Sequence, residues 1–392
     1  MPAIWCKTPT AFERDAAAQP ALFDALPERA IAYGSQGHEA QRPVIVERLR
    51  KLARSEAQQL AALQLHWGLL VNLGRPVPDT EMHAARGRAQ AVGQPALAWE
   101  LARSLGWYWA MNNRAEDGLA LLAEHQDWVE SNPGNLATRA SYRLARSSIY
   151  AFGDRLAEAI AEGRLALAAS SAAHDWPNAL PAMSNLGVMH YWRGEYAAAH
   201  EVLASARAQR ERLYGGGGAG IKIDIHLGGV LYELDRFDEA RSLLEGALEQ
   251  LRGMPPSEYI RTDALLIENH LAQMAIAGGQ PEAAAAALAS DTAGLAERFV
   301  GRRLALRLRW QRSFADQVDA ALVTELQALV ARLASPFNRA PMALELARLP
   351  PPDQALAQLH PPPRQPRGVG QAWLATARGG DGRRRCRPRR AA

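Results

Sequence analysis

Apolar residues recur at steps of three and four positions from Pro43 to about Leu349, the spacing that places them on one face of an α-helix. The breaks between these segments carry Gly, Pro, Asn or Asp, and β-branched residues are few. No alternating pattern of useful length indicates a strand. The pattern therefore predicts an all-α chain.

The helical pattern itself repeats about every 41 residues, and five copies can be aligned. Each copy has a small residue in its first helix, an Asn, Asp or Gly at a turn, and a small residue in its second helix. The first small residues are Gly106, Ser147, Gly187, Gly228 and Ala272, the turn residues are Asn113, Asp154, Gly194, Asp235 and Gly279, and the second small residues are Gly118, Ala159, Ala199, Ala240 and Ala284. A period of this length predicts a right-handed superhelical solenoid of antiparallel helix pairs.

Helix packing explains why each copy has small residues at these positions. Two helices that cross at about 8–10 Å need small side chains at the crossing. Within the second helix of the third copy, Tyr196, Ala199, Leu203 and Ala206 step by three, four and three, which is one helical face. One helix pair cannot bury that face alone, so we expect neighbouring pairs to stack.

Over about residues 95–292 the copies resemble the tetratricopeptide repeat. The shared motif is Leu-Gly, then an aromatic residue or Leu, a turn, Tyr or Phe, Ala, a large apolar residue and Ala. The longer period resembles the helical arrays of large bacterial regulators, namely the maltose-activator-like LuxR group and ATPases with a bacterial transcriptional activator domain. In those families the array is a sensor and interaction module. No phosphate-binding loop or LuxR-like helix-turn-helix accompanies it here, so we expect a stand-alone adaptor or a truncated reading frame.

The pattern divides the chain into five parts. We expect a poorly ordered lead-in over 1–42, N-terminal helices over 43–94, the repeats over 95–292 and capping helices over 293–349. A disordered tail rich in Pro, Gly and Arg follows over 350–392. Gly215 to Gly220 falls between two repeats and lacks the Gly-Lys-Ser/Thr of a phosphate loop, so it is interpreted as a flexible linker.

Charge and cysteine content indicate which binding partners and which cellular compartment to expect. Residues 361–392 hold nine arginines and one acid, a net charge of +8, so the rest of the chain carries −4 of the total of +4. Specific binding to nucleic acid is therefore not expected, whereas the tail can bind polyanions without specificity. The two cysteines, Cys6 and Cys386, are far apart in the sequence and there is no secretory signal or membrane segment, so a cytoplasmic protein is expected.

No pattern indicates catalysis, a metal site or a cofactor. The histidines lack metal-ligand spacing, and His190 occupies a core position of its repeat, which favours a packed histidine. Arg298, Arg302, Arg309 and Arg312 share a helical sector of about 80° if 297–313 is one helix. A solvated face on a capping helix is the first interpretation of this sector, with a site for an acidic partner or for nucleic acid as alternatives.

The sequence thus predicts a non-enzymatic interaction scaffold or sensor in bacterial signalling or transcription control that binds a protein or peptide in its concave groove. A sensor that binds a small effector there is the alternative. The groove residues expected from the alignment are Arg103, Trp107, Ser148, Val188, Tyr191, Lys222 and Tyr232. The aromatic residues among them can instead pack within the alanine-rich core.

Overall fold

The computed structural model describes residues 42–131, 136–214, 220–254 and 256–349. These ranges contain 17 helices and no strand, which confirms the all-α prediction for this part of the chain. The helices are α1 (Arg42–Leu52), α2 (Glu56–Leu73), α3 (Asp79–Ala91), α4 (Pro95–Met111), α5 (Ala115–Ala123), α6 (Gln126–Glu130), α7 (Leu136–Phe152), α8 (Leu156–Ala172), α9 (Trp176–Trp192), α10 (Tyr196–Tyr214), α11 (Ile221–Glu233), α12 (Phe237–Arg252), α13 (Glu258–Ala277), α14 (Pro281–Ala287), α15 (Glu297–Phe314), α16 (Ala320–Arg332) and α17 (Pro336–Ala347). The predicted lead-in, apart from Arg42, the tail from 350 onward and linker residues 215–219 lie outside the described residues.

The five aligned turns share one backbone conformation. Every turn residue has a positive φ: Asn113 65°, Asp154 62°, Gly194 77°, Asp235 60° and Gly279 68°. The N–H that follows each one donates to the carbonyl five residues earlier, as in Arg236 to Leu231 at 2.9 Å. This bond ends a helix in the left-handed conformation that Gly, Asn and Asp tolerate best. The alignment of the turns is therefore confirmed.

The small residues lie where the helices of one pair cross. A Cβ built on Gly187 of α9 would lie 2.8 Å from Leu203 Cδ2 of α10, and one on Gly228 of α11 would lie 2.6 Å from Leu244 Cγ of α12. Leu203 and Leu244 are both fully buried. In the first copy, α4 and α5 meet through Gly106 and Gly118, so here too the backbones approach closely.

Neighbouring pairs stack into one array, and its two ends also meet. Arg75, which follows α2, lies 2.8 Å from Glu258 at the start of α13. Leu69, Leu73 and Tyr259 form a small buried cluster between the same two helices. The array therefore curves enough to bring an N-terminal helix against the last aligned copy.

Candidate functional site

The inner side of the array is where residues from distant helices meet. Phe337 of α17 packs against Trp192 of α9 and Phe152 of α7, with ring centroids 4.5 and 5.8 Å apart. Arg298 of α15 reaches Met111 at the end of α4, with 3.1 Å between its guanidinium and the sulfur. We call the sides of α4, α7, α9, α11, α13 and α15 that converge in this way the groove face.

The three predicted polar groove residues have partners within the protein. Arg103 donates to Glu100 Oε2 at 2.5 and 3.0 Å. Lys222 Nζ lies 3.9 Å from Asp263 Oδ1. Ser148 donates to the Leu144 carbonyl at 3.0 Å and accepts from Asn185 of the next first helix at 3.3 Å. The two cations of the predicted set, Arg103 and Lys222, thus already face carboxylates of the protein itself.

The predicted aromatic residues are shared between the groove face and the core. Trp107 packs on the N-terminal core cluster, and its buried Nε1 has no hydrogen-bond partner within the described ranges. Tyr191 lies 5.7 Å from Tyr196, and Tyr232 lies 5.6 Å from Phe237, between ring centroids. In both pairs the second ring opens the second helix of the same repeat. Tyr191 and Tyr232 therefore pack at the helix turns, and Val188 is a half-buried apolar residue of the same predicted set.

Four basic side chains gather in the C-terminal half of the groove face. They are Arg298 and Arg302 of α15, His226 of α11 and His270 of α13, here called the arginine–histidine cluster. His226 and His270 occupy the same position in successive copies, two residues before the helix crossing. The His270 ring lies against the α11 backbone, as the short distance to Gly229 shows. A Cβ built on Gly229 would lie 3.0 Å from Cε1 of His270.

Burial and mutual repulsion shape the protonation of this cluster. Burial lowers the pKa of His226 to about 3, and the positive charges of His270, Lys222 and Arg302 act in the same direction. Burial, together with Arg302, lowers the pKa of His270 to about 4. Burial also lowers the pKa of Arg298 to about 10, again with help from Arg302. Both histidines are therefore neutral at pH 7, and the cluster holds two arginine charges.

The position of Arg298 and Arg302 corrects one interpretation of the sequence. Both were expected on a solvated face, yet both are half-buried on the groove face. Burial is the main cause that lowers the pKa of Arg302. Arg312, from the same sector, instead pairs with the buried Glu345 of α17 at 2.8 Å. The sector faces helices and the groove, so that interpretation was wrong.

Comparison with known proteins agrees with this architecture. A tetratricopeptide repeat family model matches residues 182–218. The chain is similar to the structure of NprR in complex with its cognate peptide NprX, with a TM-score of 0.52 and 14% identity over 86% of this chain and 95% of that one. The apo form of the quorum sensor NprR from B. thuringiensis gives a TM-score of 0.47 and 14% identity over 92% and 97%. No curated protein matches the chain. The fold is a tetratricopeptide-like helical array.

His190 is buried as predicted, with Nδ1 2.6 Å from Glu195 Oε2 across the turn of its own repeat. No group of three His, Cys, Asp or Glu side chains in the described ranges could hold a metal ion. None of the helices described combines the length and hydrophobicity that a bilayer crossing requires. The arginine–histidine cluster was missed in the sequence because its members come from three helices.

The two cluster histidines should make stability depend on pH. In the unfolded chain each histidine binds a proton below about pH 6.5, whereas in the folded protein each stays neutral down to about pH 4 or 3. Stability is therefore lost as the pH falls through this window, by about 1–2 kcal/mol per histidine between pH 7 and 5. Denaturant unfolding at both pH values should show a smaller loss in a His226→Gln/His270→Gln variant. The exposed His83→Gln serves as the control, and an equal loss in all three proteins would contradict the assignment.

Proposed function

We propose that this chain is a non-catalytic receptor of a bacterial regulatory system and that it binds an extended peptide segment along the groove face. The observation that carries the proposal is the convergence of first-helix side chains, both polar and apolar, on one inner side of the array. Ser148 of α7 and Asn185 and Val188 of α9 lie there on neighbouring first helices. All three are half-buried, so part of each side chain is accessible to a ligand without any rearrangement of the helices.

Two further points support this function. NprR, whose fold is similar over most of both chains, was solved with its cognate peptide bound. Asn269 of α13 is buried beside His270, and neither its side-chain amide nitrogen nor its amide oxygen has a hydrogen-bond partner among the described residues. A side-chain amide both donates and accepts, which matches the two groups of a peptide unit. The regulatory context comes from the resemblance of the repeats to those of the LuxR-like and activator-domain regulators.

A peptide selection tests the proposal. The purified chain is mixed with a synthetic library of random heptapeptides, and the retained peptides are identified by mass spectrometry. Val188→Arg places a long charged side chain on the groove face and should weaken the binding of selected peptides by about tenfold or more, because a charge left without a partner at a desolvated contact is costly. The matched control is Leu165→Arg on α8, whose parent side chain is 52% exposed and belongs to a second helix.

The outcomes separate clearly. Leu165→Arg should retain the same peptides as the wild type with unchanged affinity. The proposal is refuted if the wild type retains no peptide, or if Val188→Arg binds the selected peptides as tightly as the control. Circular dichroism of both variants checks that the fold is kept.

A further inference from the structure

Arg298 and Arg302 differ in their ion pairing from Arg303 and Arg210, two buried arginines of the array. Arg303 pairs with Glu268, and Arg210 pairs with Asp224, each at 2.8 Å. Within the described residues, the contacts of Arg298 are instead the Met111 sulfur, the neighbouring Phe299 ring and the backbone of Gly74, where a Cβ would lie 2.7 Å from Arg298 Nη1. Arg302 lies 5.8 Å from the Phe337 ring centroid. No carboxylate in the described part of the chain forms an ion pair with either arginine.

This arrangement is electrostatically unfavourable in the absence of an anion. Arg298 and Arg302 are four residues apart on one helix, so their side chains are neighbours, with about 5–6 Å between the Cβ atoms. Burial lowers the pKa of Arg298, and the charge of Arg302 acts in the same direction. Partly buried charges are normally paired because the loss of hydration is costly. An anion bound between the two guanidinium groups would offset both the burial and the repulsion.

We propose that Arg298 and Arg302 form a carboxylate-binding subsite at the C-terminal half of the groove face, and that its occupant is a carboxylate of the bound peptide. The inference rests on the peptide-binding function proposed above. A planar carboxylate suits two guanidinium groups because each can donate in a bidentate manner. His226 and His270, which are neutral, can each donate one further hydrogen bond. Arg103 and Lys222 do not serve this purpose, since Glu100 and Asp263 already neutralise them.

The subsite is tested with small probes of defined charge. The peptides are N-acetyl-trialanine with a free carboxylate, the same peptide amidated, and amidated N-acetyl-Ala-Glu-Ala and N-acetyl-Ala-Gln-Ala. Glutarate and its diamide are the non-peptide pair. The readouts are the dissociation constant and the NMR signals of the His226 and His270 rings, which are assigned with His→Gln variants.

Each carboxylate probe should have a dissociation constant about tenfold or more below that of its neutral counterpart, and it should shift the NMR signals of both histidines. Comparison of the free trialanine with the Glu peptide shows whether a terminal or a side-chain carboxylate is preferred. Arg302→Gln and Arg298→Gln should each remove the preference for carboxylate, and Arg302→Lys should keep part of it because it keeps the charge. Arg307→Gln is the control on the same helix, since Arg307 donates to the Leu288 carbonyl.

The failure of the subsite and the failure of peptide binding give different results. If peptides bind but carboxylate and amide forms bind equally, or Arg302→Gln keeps the preference, the subsite is overturned and the receptor function stands. If glutarate shifts the histidine signals while no library peptide binds the wild type, the subsite stands and the peptide function fails. If neither glutarate nor any carboxylate peptide binds, the subsite is overturned.

Discussion

Arg303→Met should lower the free energy of unfolding by about 3–5 kcal/mol, because it removes one partner of a buried ion pair. The Arg303 side chain is 0% exposed and donates to Glu268 Oε2 at 2.8 Å and to the carbonyls of Ala287 and Leu265 at 2.7 and 3.4 Å. It thereby ties α15 to α13 and to the end of α14. Methionine fills part of the space but leaves a carboxylate and two carbonyls without their donor. Denaturant unfolding at pH 7 measures the loss.

Two further proteins define what this result means. Arg307→Met on the same helix removes a donor to the Leu288 carbonyl, and Arg307 forms no ion pair in the described part of the chain, so the cost should stay below about 1.5 kcal/mol. Arg303→Met/Glu268→Met removes both charges and should be more stable than Arg303→Met alone. The coupling is refuted if the double variant loses the sum of the two single losses, or if Arg303→Met is as stable as Arg307→Met.

The features that were predictable from the sequence are those fixed within one repeat. The turn residues could be aligned because a left-handed helix end selects Gly, Asn or Asp, and this selection acts on the residue itself. Asn113, Asp154 and Gly194 therefore look alike in the sequence and have the same conformation in the structure. The helix crossings were predictable for the same reason, since close approach permits only small side chains.

The features that could not be predicted depend on the relative orientation of successive repeats. The curvature of a solenoid is the sum of small rotations between neighbours, and no single residue pattern encodes it. The contact between Arg75 and Glu258 at the two ends follows from that sum. The same curvature brings Arg302 near Tyr191, which lies on a first helix three pairs earlier and offsets part of the lowering of the Arg302 pKa by burial. A helical wheel of α15 alone gives the sector of its arginines but not what the sector faces.

The candidate site was predicted by position more than by chemistry. The alignment selected residues on the first helices, and Ser148 and Val188 are half-buried there. It could not show that Lys222 faces a carboxylate, because Asp263 lies on the next first helix. The pairing of Arg103 with Glu100, three residues away on the same helix, could have been read from the spacing and was missed. Whether these groove residues contact a ligand stays a prediction.

Gly228→Leu should be among the most damaging changes in the array and cost about 1–3 kcal/mol or more, because it overpacks a helix crossing. Even a Cβ at this position would lie 2.6 Å from Leu244 Cγ and Cδ2, and Leu244 is fully buried and cannot swing into solvent. Gly187→Leu should behave alike, since Leu203 occupies the same place in the preceding repeat. Thermal and denaturant unfolding of each variant measure the cost.

Gly246→Ala is the matched control, because Gly246 lies within α12 and a Cβ there meets nothing within 4 Å. That change should be neutral or stabilising by up to about 1 kcal/mol, since alanine is the better helix former. A double-mutant cycle of Gly228→Ala with Leu244→Ala then isolates the crossing. Leu244→Ala alone should cost about 2–5 kcal/mol through the cavity it leaves. Because the new methyl group at position 228 points into that cavity, the double variant should lose less than the sum of the single losses. Additive losses, or equal stability of Gly228→Ala and Gly246→Ala, would show that Gly228 does not lie at a tight crossing.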